Sequence, residues 1–161
     1  MAEKKEIRKI ALVRIRGRVE IRGKIQDTLV MLGLKRVNWV AVVDDNPVYK
    51  GMIQKAKDYI TWGEMDATLF EQLVEKWGRK AGDARVEKKE VASFAKSFMA
   101  GDTTFKEAGI KPVFGLHPPS TGHKKGGIRL HVKVGGALGY RGKEINSLIA
   151  RMAGLEDGEK K

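Results

Sequence analysis

The sequence predicts an α+β protein in which a β-α-β-α-β unit is followed by a helical and loop-rich extension. Residues 7–62 alternate short β-branched segments with amphipathic helical segments. Residues 63–100 carry apolar stripes at helical spacing, and residues 101–161 are basic and rich in glycine. We therefore expect a core over residues 1–62, with both of its helices on one face of the sheet, and an extension over residues 63–161 packed on that core.

The first strand is predicted over residues 7–16, IRKIALVRIR, because this segment is rich in aliphatic and β-branched residues and is followed by Gly17. Side chains alternate between the two faces of a strand. One face therefore carries Ile7, Ala11, Val13 and Ile15. The other face carries Arg8, Ile10, Leu12, Arg14 and Arg16. The first face is nearly all apolar, and the second ends in arginine.

The first helix is predicted after the basic turn GRVEIRGK. Ile25, Leu29 and Leu32 fall at i, i+4 and i+7, which makes one helical stripe, and Gly33 can end the helix in a left-handed conformation. A second strand follows over residues 37–44. Its alternate positions are apolar on both sides, so we expect both faces of this strand to be buried.

The second helix is predicted to begin at Asn46 and Pro47, a capping residue followed by a residue suited to the first helical position. Its inward stripe is predicted to be Val48, Met52 and Ala56. A short third strand over residues 59–62 completes the core.

The extension is predicted to begin with helices that pack against the core. One stripe consists of Leu69, Leu73 and Trp77. A second stripe, which ends at Gly101, consists of Val91, Phe94, Ala95, Phe98 and Met99. From residue 105 onward we expect extended segments and long loops, and then a final helix over residues 144–152.

The composition excludes several classes of protein. The 161 residues include no cysteine, so there is no disulfide, no thiolate zinc site and no cysteine nucleophile. The longest unbroken apolar stretch, residues 39–43, is far shorter than the ~20 residues that span a bilayer. The N-terminal sequence MAEKKEIRK does not resemble a signal peptide. We therefore expect a cytoplasmic protein.

The net charge of +12 suggests a polyanionic partner, either nucleic acid or an anionic membrane surface. The charge is +7 over residues 1–62, zero over residues 63–100 and +5 over residues 101–161. Residues 8–24 and 106–143 hold most of the excess positive charge, and they are predicted to form turns and glycine-rich loops. A basic surface that is merely solvated and has no function explains this clustering less well than a polyanionic partner does. A membrane-binding helix would be both basic and amphipathic, whereas the most apolar helices lie in the neutral block. The pattern therefore favours nucleic acid.

Other chemistries fit poorly. The segment ALGYRGKE resembles a phosphate-binding Walker loop only superficially, because Ala137 replaces a required glycine and Glu144 replaces the Ser or Thr that holds magnesium. The three histidines lack helical spacing and lie among cations, so we predict no metal site. They are His117, His123 and His131. We predict no cofactor and no catalytic residue.

Two separated segments resemble one protein family. The stretch KIALVRIRGRVEIRGKIQDTLVMLGLKRVNWVAVVDDNPVYKGMIQKAKDYITW resembles the core of the large-subunit ribosomal protein thirty family, including the helix that closes in LGL and the segment NPVYKGMIQK. The stretch FGLHPPSTGHKKGGIRLHVKVGGALGYRGKEINSLIARM resembles the extension of the archaeal and eukaryotic members, the latter called ribosomal protein seven. A long lysine-rich N-terminal segment like the eukaryotic one is absent, so the chain resembles the archaeal long form. Val19 stands where the short members often have proline, which leaves the conformation of that turn open.

The resemblance implies a ferredoxin-like core with an antiparallel sheet and two helices on one face. It also implies a structural protein of the large subunit of the cytoplasmic ribosome that contacts ribosomal RNA and neighbouring ribosomal proteins, with no membrane and no small-molecule substrate. The resemblance further implies that the extension helps to position the small ribosomal RNA of that subunit.

The resemblance and the basic clusters together predict the RNA-binding residues. On the core they are Arg8, Arg14, Arg16, Arg18, Arg22, Lys24, Lys35, Arg36 and Lys50. On the extension they are Lys124, Lys125, Arg129, Lys133, Tyr140, Arg141 and Lys143. For Tyr140, stacking on a base and packing in the core are equally good explanations.

Two alternatives remain open at this point. One is a small ferredoxin-like phosphate-binding enzyme such as an acyl phosphate hydrolase, in which Arg18 would hold the phosphate and Asn38 or Asn46 would orient water. The other is an RNA-binding regulator that acts outside the ribosome.

Overall fold

The computed structural model of this protein describes residues 8–155, in which one β-sheet lies between two layers of helices. The elements in chain order are β1 (Lys9–Arg14), α1 (Gly23–Met31), β2 (Trp39–Asp44), α2 (Pro47–Ala56), β3 (Ile60–Glu64), α3 (Ala67–Trp77), α4 (Lys88–Ala100), β4 (Val113–Gly115), a 3-10 turn (Val132–Val134), β5 (Gly139–Tyr140) and α5 (Glu144–Ala153). The predicted β-α-β-α-β order of the core and the helical block after it are confirmed.

The sheet has the strand order β4-β2-β1-β3-β5. The core strand β1 pairs antiparallel with β2 and β3, as the resemblance implies, with Arg14 opposite Ile60 and Val13 opposite Val40. The extension adds both edge strands, β4 antiparallel to β2 and β5 parallel to β3. The core and the extension therefore share one hydrogen-bonded sheet, while the division at residue 62 stays a prediction.

Helices α1 and α2 cover one face of the sheet, as predicted. Their buried side chains Leu29 and Ile53 pack against Leu12, Ala41 and Ile60 of the core strands. The predicted stripe of α2 is wrong in one position, because Val48 is 68% exposed. The stripe that packs inward is Tyr49, Met52, Ile53 and Ala56. The helix is rotated by about one position, so Tyr49 and Ile53 replace Val48 as the inward i, i+4 pair.

Helices α3, α4 and α5 cover the opposite face, where a cluster of phenylalanines forms the centre of the second core. All five phenylalanines of the chain are buried there: Phe70, Phe94, Phe98, Phe105 and Phe114. The rings of Phe70 and Phe98 stack with centroids 4.9 Å apart, and Phe105 lies 4.5 Å from Phe98. Such ring pairs contribute about 0.5–1.5 kcal/mol beyond the burial of their area. The neutral block therefore packs, as its stripes predict.

The element boundaries differ from the predictions for local reasons. The strand β1 ends at Arg14 because the amides of both Ile15 and Arg16 donate to the carbonyl of Tyr59 and turn the chain away from the ladder. Ile7, the first residue of the predicted strand, lies outside the described residues. Asn46 precedes α2 as predicted, but its side chain makes no capping hydrogen bond. Gly33 and Gly101 end their helices with φ of 81° and 84°.

Candidate nucleic-acid interface

The strand register brings several basic segments to one end of the sheet. The C-terminal end of β1 lies beside the N-terminal ends of β2 and β3, because Val13 is opposite Val40 and Arg14 is opposite Ile60. The turn after β1 and the loop before β2 therefore meet at this end. We call this surface the basic end; its cations are Arg16, Arg18, Arg22, Lys24, Lys35 and Arg36.

Arg14 does not belong to this surface, which corrects its predicted contact with RNA. Its side chain is 0% exposed. Its guanidinium donates to the carbonyl oxygens of Arg16 at 2.9 Å, Leu34 at 2.7 Å, Lys35 at 3.2 Å and Gly17 at 3.2 Å. Burial, and then the nearby charge of Arg18, lower the pKa of Arg14 below its ordinary value. Arg14 thus ties the turn after β1 to the loop before β2, and it positions the cations of both.

The remaining cations of the basic end differ in how firmly they are held. Arg16 is half-buried, donates to the carbonyl of Asp58 at 3.2 Å and lies 4.8 Å from the ring centroid of Tyr59. Arg36 lies 6.0 Å from the ring centroid of Trp39. The other four are exposed, and none of them forms an ion pair with an acidic side chain of residues 8–155: Arg18, Arg22, Lys24 and Lys35.

The turn itself has a defined shape. Val19 is 86% exposed, and Glu20 has a φ of 56°, in the left-handed region that non-glycine residues seldom adopt. Val19 therefore faces solvent, and the change of chain direction falls on the next residue.

The glycine-rich basic segment between β4 and α5, which we call the basic loop, is held compact by close backbone contacts. At Gly136 a Cβ atom would lie 2.0 Å from the carbonyl oxygen of Leu130, so only glycine fits. The amides of Ala137 and Leu138 donate to that same carbonyl. Five of the six predicted cations of the extension are exposed: Lys124, Lys125, Arg129, Lys133 and Lys143. Of these, Lys124 lies 4.0 Å from Glu144, a weak exposed pair.

Arg141 is half-buried and joins the loop to the sheet. It donates to the hydroxyl oxygen of Thr61 and to the carbonyl of Ala137, both at 3.0 Å. Burial is the main cause that lowers the pKa of Arg141. Burial also lowers the pKa of His123, followed by the charges of Arg141 and Arg151. The guanidinium of Arg141 therefore has a structural role, and only the N–H groups that do not bind Thr61 or Ala137 are left for a ligand.

Arg8, Lys50 and Tyr140 lie apart from the basic end. They line a groove at the opposite end of β1 together with Trp62 and Glu64. Tyr140 is 50% exposed, its ring lies 6.5 Å from that of Trp62, and its hydroxyl donates to Glu64 at 3.4 Å. Lys50 pairs with Asp45 at 2.8 Å. The predicted core contacts therefore divide between two surfaces, and the second surface also contains acidic side chains.

The alternative enzyme needs Arg18 close to Asn38 or Asn46, and Asn46 lies at the other end of the sheet. Arg18 follows the C-terminal end of β1, whereas Asn46 follows Asp44, which is paired with Lys9 at the other end of the sheet. Asn38 does lie at the basic end, where its amide donates to the carbonyl of Arg14.

Within residues 8–155 no three His, Asp or Glu side chains form a group that could hold a metal ion. No helix of this described part is long and apolar enough to cross a membrane.

Sequence reasoning missed one group of cations. The tertiary structure brings together Lys76, Arg79, Arg85 and Arg151, which come from three separate segments. Three of them belong to residues 63–100, whose net charge of zero gave no indication of a binding surface.

Comparisons with known proteins identify the relatives of this chain. Residues 10–60 match the family model described as Ribosomal protein L30p/L7e. Large ribosomal subunit protein uL30 of Methanococcus vannielii is 45% identical over 150 residues, which cover 88% of this chain and 97% of that protein. The uL30 protein of Nanoarchaeum equitans is 46% identical over 149 residues, covering 88% and 96%. The uL30 protein of Methanobrevibacter smithii is 44% identical over 150 residues, covering 88% and 97%.

Proposed function

Since the chain belongs to the ribosomal protein L30p/L7e family, we infer that it is a structural constituent of the large ribosomal subunit. The family indicates a structural role and not a catalytic one. It places the protein in the cytoplasmic ribosome, among ribosomal RNA and other ribosomal proteins. Because its archaeal relatives align with nearly the whole chain, this inference includes the extension as well as the core.

We propose that the basic end grips folded ribosomal RNA by its phosphates. The observation that carries this proposal is the group of four exposed cations without acidic partners in residues 8–155, on a turn and a loop that Arg14 holds together. Each phosphate that a cation neutralises releases counterions, which favours binding. Phosphate contacts set the position of the protein, and the folded shape of the RNA supplies the specificity.

The basic loop of the extension is proposed to contact RNA as well, including the small ribosomal RNA of the large subunit. Its exposed cations Lys125, Arg129 and Lys133 support this proposal, together with the glycine contacts that keep their loop compact. The Arg129→Ala/Lys133→Ala variant should retain less small RNA on immobilised protein than the unmodified chain does. Equal retention would limit the loop to the large RNA.

The test of the basic end compares two variants that lose the same charge. Arg18→Ala/Arg22→Ala removes two cations of the basic end, and Lys89→Ala/Lys96→Ala removes two exposed cations of α4. The probe is deproteinised large-subunit RNA of Methanococcus vannielii, titrated between 50 and 300 mM KCl. We expect the first variant to bind about tenfold more weakly at moderate salt and the control to stay within about twofold. Equal losses would show that total charge, and not this surface, governs binding.

Fractionation of cell extract separates the ribosomal role from that of an RNA-binding regulator. The protein should sediment with large subunits and remain with them after a high-salt wash. Release into the free fraction at low salt would contradict the structural role.

A further inference from the structure

A positively charged cleft lies in the extension, between the end of α3, the turn after it and the end of α5. We call it the extension cleft; the residues of interest that line it are Lys76, Trp77, Arg79, Arg85, His117 and Arg151. None of its four cations forms an ion pair with an acidic side chain of the described chain. The cleft is therefore a concentration of positive charge, and three of its four cations come from residues 63–100, which have no net charge.

Two of these arginines lie opposite each other on neighbouring extended segments. Arg79 and Arg85 are partners in an antiparallel bridge, closed by a turn in which the amide of Lys80 donates to the carbonyl of Ala84 at 2.8 Å. Like charges directly opposite each other on neighbouring strands destabilise the pairing. The nearby Asp83 carboxylate pairs with Lys111, which is the main cause that lowers its pKa, with Arg79 a minor one. An anion bound between the two guanidinium groups would relieve their repulsion.

The other side of the cleft is held by hydrogen bonds between α3 and the end of α5. The Nζ of Lys76 donates to the carbonyl of Gly154 at 2.8 Å, and the indole N–H of Trp77 donates to the carbonyl of Ala153 at 3.1 Å. These bonds fix the end of α3 to the end of α5. The exposed imidazole of His117 meets the Trp77 ring edge-on with centroids 5.1 Å apart. Lys76, Trp77 and His117 therefore have defined positions on this side of the cleft.

We propose that the extension cleft is a second RNA-binding site, which holds the phosphodiester backbone of one strand of large-subunit RNA. Paired guanidinium forks match phosphate oxygens, and the flat ring of His117 beside them offers a stacking surface to an unpaired base. This inference rests on the proposed function, because it takes ribosomal RNA as the partner. The extension cleft is separate from the basic end, because α3 and α5 cover the face of the sheet opposite to α1 and the turn that leads into α1.

The test uses the full chain and the same deproteinised RNA. Arg79→Ala/Arg85→Ala should bind about tenfold more weakly at moderate salt, and its plot of log K against log salt should be shallower by about 1.5. Arg79→Lys/Arg85→Lys should lose less than the alanine variant, because it keeps the charge and loses only the fork. Lys89→Ala/Lys96→Ala is again the matched control. Combination with Arg18→Ala/Arg22→Ala should multiply the two fold-losses, because the sites are separate.

Thermal unfolding separates loss of a ligand site from loss of structure. The free Arg79→Ala/Arg85→Ala protein should melt at the same temperature as the unmodified chain or at a higher one, since a repulsion is removed. A lower melting temperature together with weaker binding would overturn the proposal in favour of a structural role.

Two further outcomes also decide the matter. If Arg79→Ala/Arg85→Ala matches the control on RNA, or loses affinity for a polyglutamate peptide while keeping its affinity for RNA, the cleft is not an RNA site. If the unmodified chain itself shows no preference for large-subunit RNA over transfer RNA, the proposed function fails, whatever the cleft variant does.

Discussion

Arg14 shows how much the role of a cation depends on what covers it. The same strand face carries Leu12, which packs under α1 and α2, and the next inward position along that face is Arg14. A guanidinium there can satisfy several backbone carbonyls at once, because its donors are arranged in a fixed fork. Arg14, one of the arginines that the sequence predicts to contact RNA, is thus the residue that holds the two parts of the basic end together.

Replacement of Arg14 by Ala should destabilise the fold. The change leaves four carbonyl oxygens without their donor, and we expect a loss of about 2–4 kcal/mol in the free energy of unfolding. Arg14→Lys keeps the charge but not the fork, so its free energy of unfolding should lie between those of the unmodified chain and Arg14→Ala. Urea unfolding followed by circular dichroism measures both. An Arg14→Ala protein of unchanged stability would contradict the structural role of this residue.

His123 should make stability depend on pH. Its pKa in the folded protein lies below the ordinary 6.5, mainly because the ring is partly buried and then because Arg141 and Arg151 are near. As the pH falls below 6.5, the unfolded chain binds a proton that the folded chain resists, so stability is lost towards acid by at most about 1.4 kcal/mol per pH unit. Above that pH both states are neutral and the effect disappears.

The His123→Gln variant isolates this contribution. Between pH 7.5 and pH 5.5 the free energy of unfolding should decrease more in the unmodified chain than in the variant. Parallel changes in the two proteins would assign the acid sensitivity to other groups.

At the scale of elements, the extension is joined to the core by strand pairing and by close glycine contacts. On β3, a Cβ atom at Gly63 would lie 2.1 Å from the carbonyl oxygen of Gly142, which accepts the amide of Glu64. The side chains of α5 begin at the same place, since Ile145 is also within 2.8 Å of that position. The start of α5 therefore rests directly on the third core strand.

Two glycine substitutions should have opposite effects. Gly63→Ala forces the start of α5 away from β3, and we expect it to destabilise the protein by at least about 2 kcal/mol. Gly51→Ala is the control, because it lies within α2, has no heavy atom within 4 Å of its Cβ position and should stabilise the helix by about 0.5–1 kcal/mol. Thermal unfolding of both variants measures the difference. A Gly63→Ala protein as stable as Gly51→Ala would contradict this account of the joint.

At the scale of the whole molecule, the core and the extension should unfold together. They share a sheet, and the face of that sheet formed by Ala11, Val13, Val40 and Val42 is covered only by extension helices among the described residues. We expect a single transition for the full chain in urea. A fragment of residues 1–66 should unfold at a lower urea concentration, because that face becomes exposed to water. Two transitions in the full chain would indicate separate domains, as the predicted boundary at residue 62 suggests.

The sequence predicted the fold well because short-range patterns carry it. The alternation in β2 predicted burial on both faces, and the stripes of α3 and α4 predicted their packing faces. The rotation of α2 was missed because Val48 and Tyr49 are both apolar, and only contact with the sheet distinguishes them. The strands β4 and β5 are short, and pairing with the core creates them more than local preference does.

The candidate site was only partly predictable. The sequence placed Arg18, Arg22 and Lys24 in a basic segment whose single acidic residue is Glu20, and the structure exposes them together with Lys35. The groove with Tyr140 and the extension cleft depend on which distant segments meet, which neither net charge nor spacing records.

By itself the sequence determined the order of the core strands and helices, most of their apolar faces and the class of partner, since periodicity and net charge are properties of the chain in any conformation. Only the tertiary structure decided which cations face solvent. It buried Arg14 against the turn after β1 and the loop before β2, separated Lys50 from the basic end and gathered Arg79, Arg85 and Arg151 into one cleft. The physical reason is that a charge acts through its distance to other charges and to water, and folding sets those distances between residues far apart in the chain.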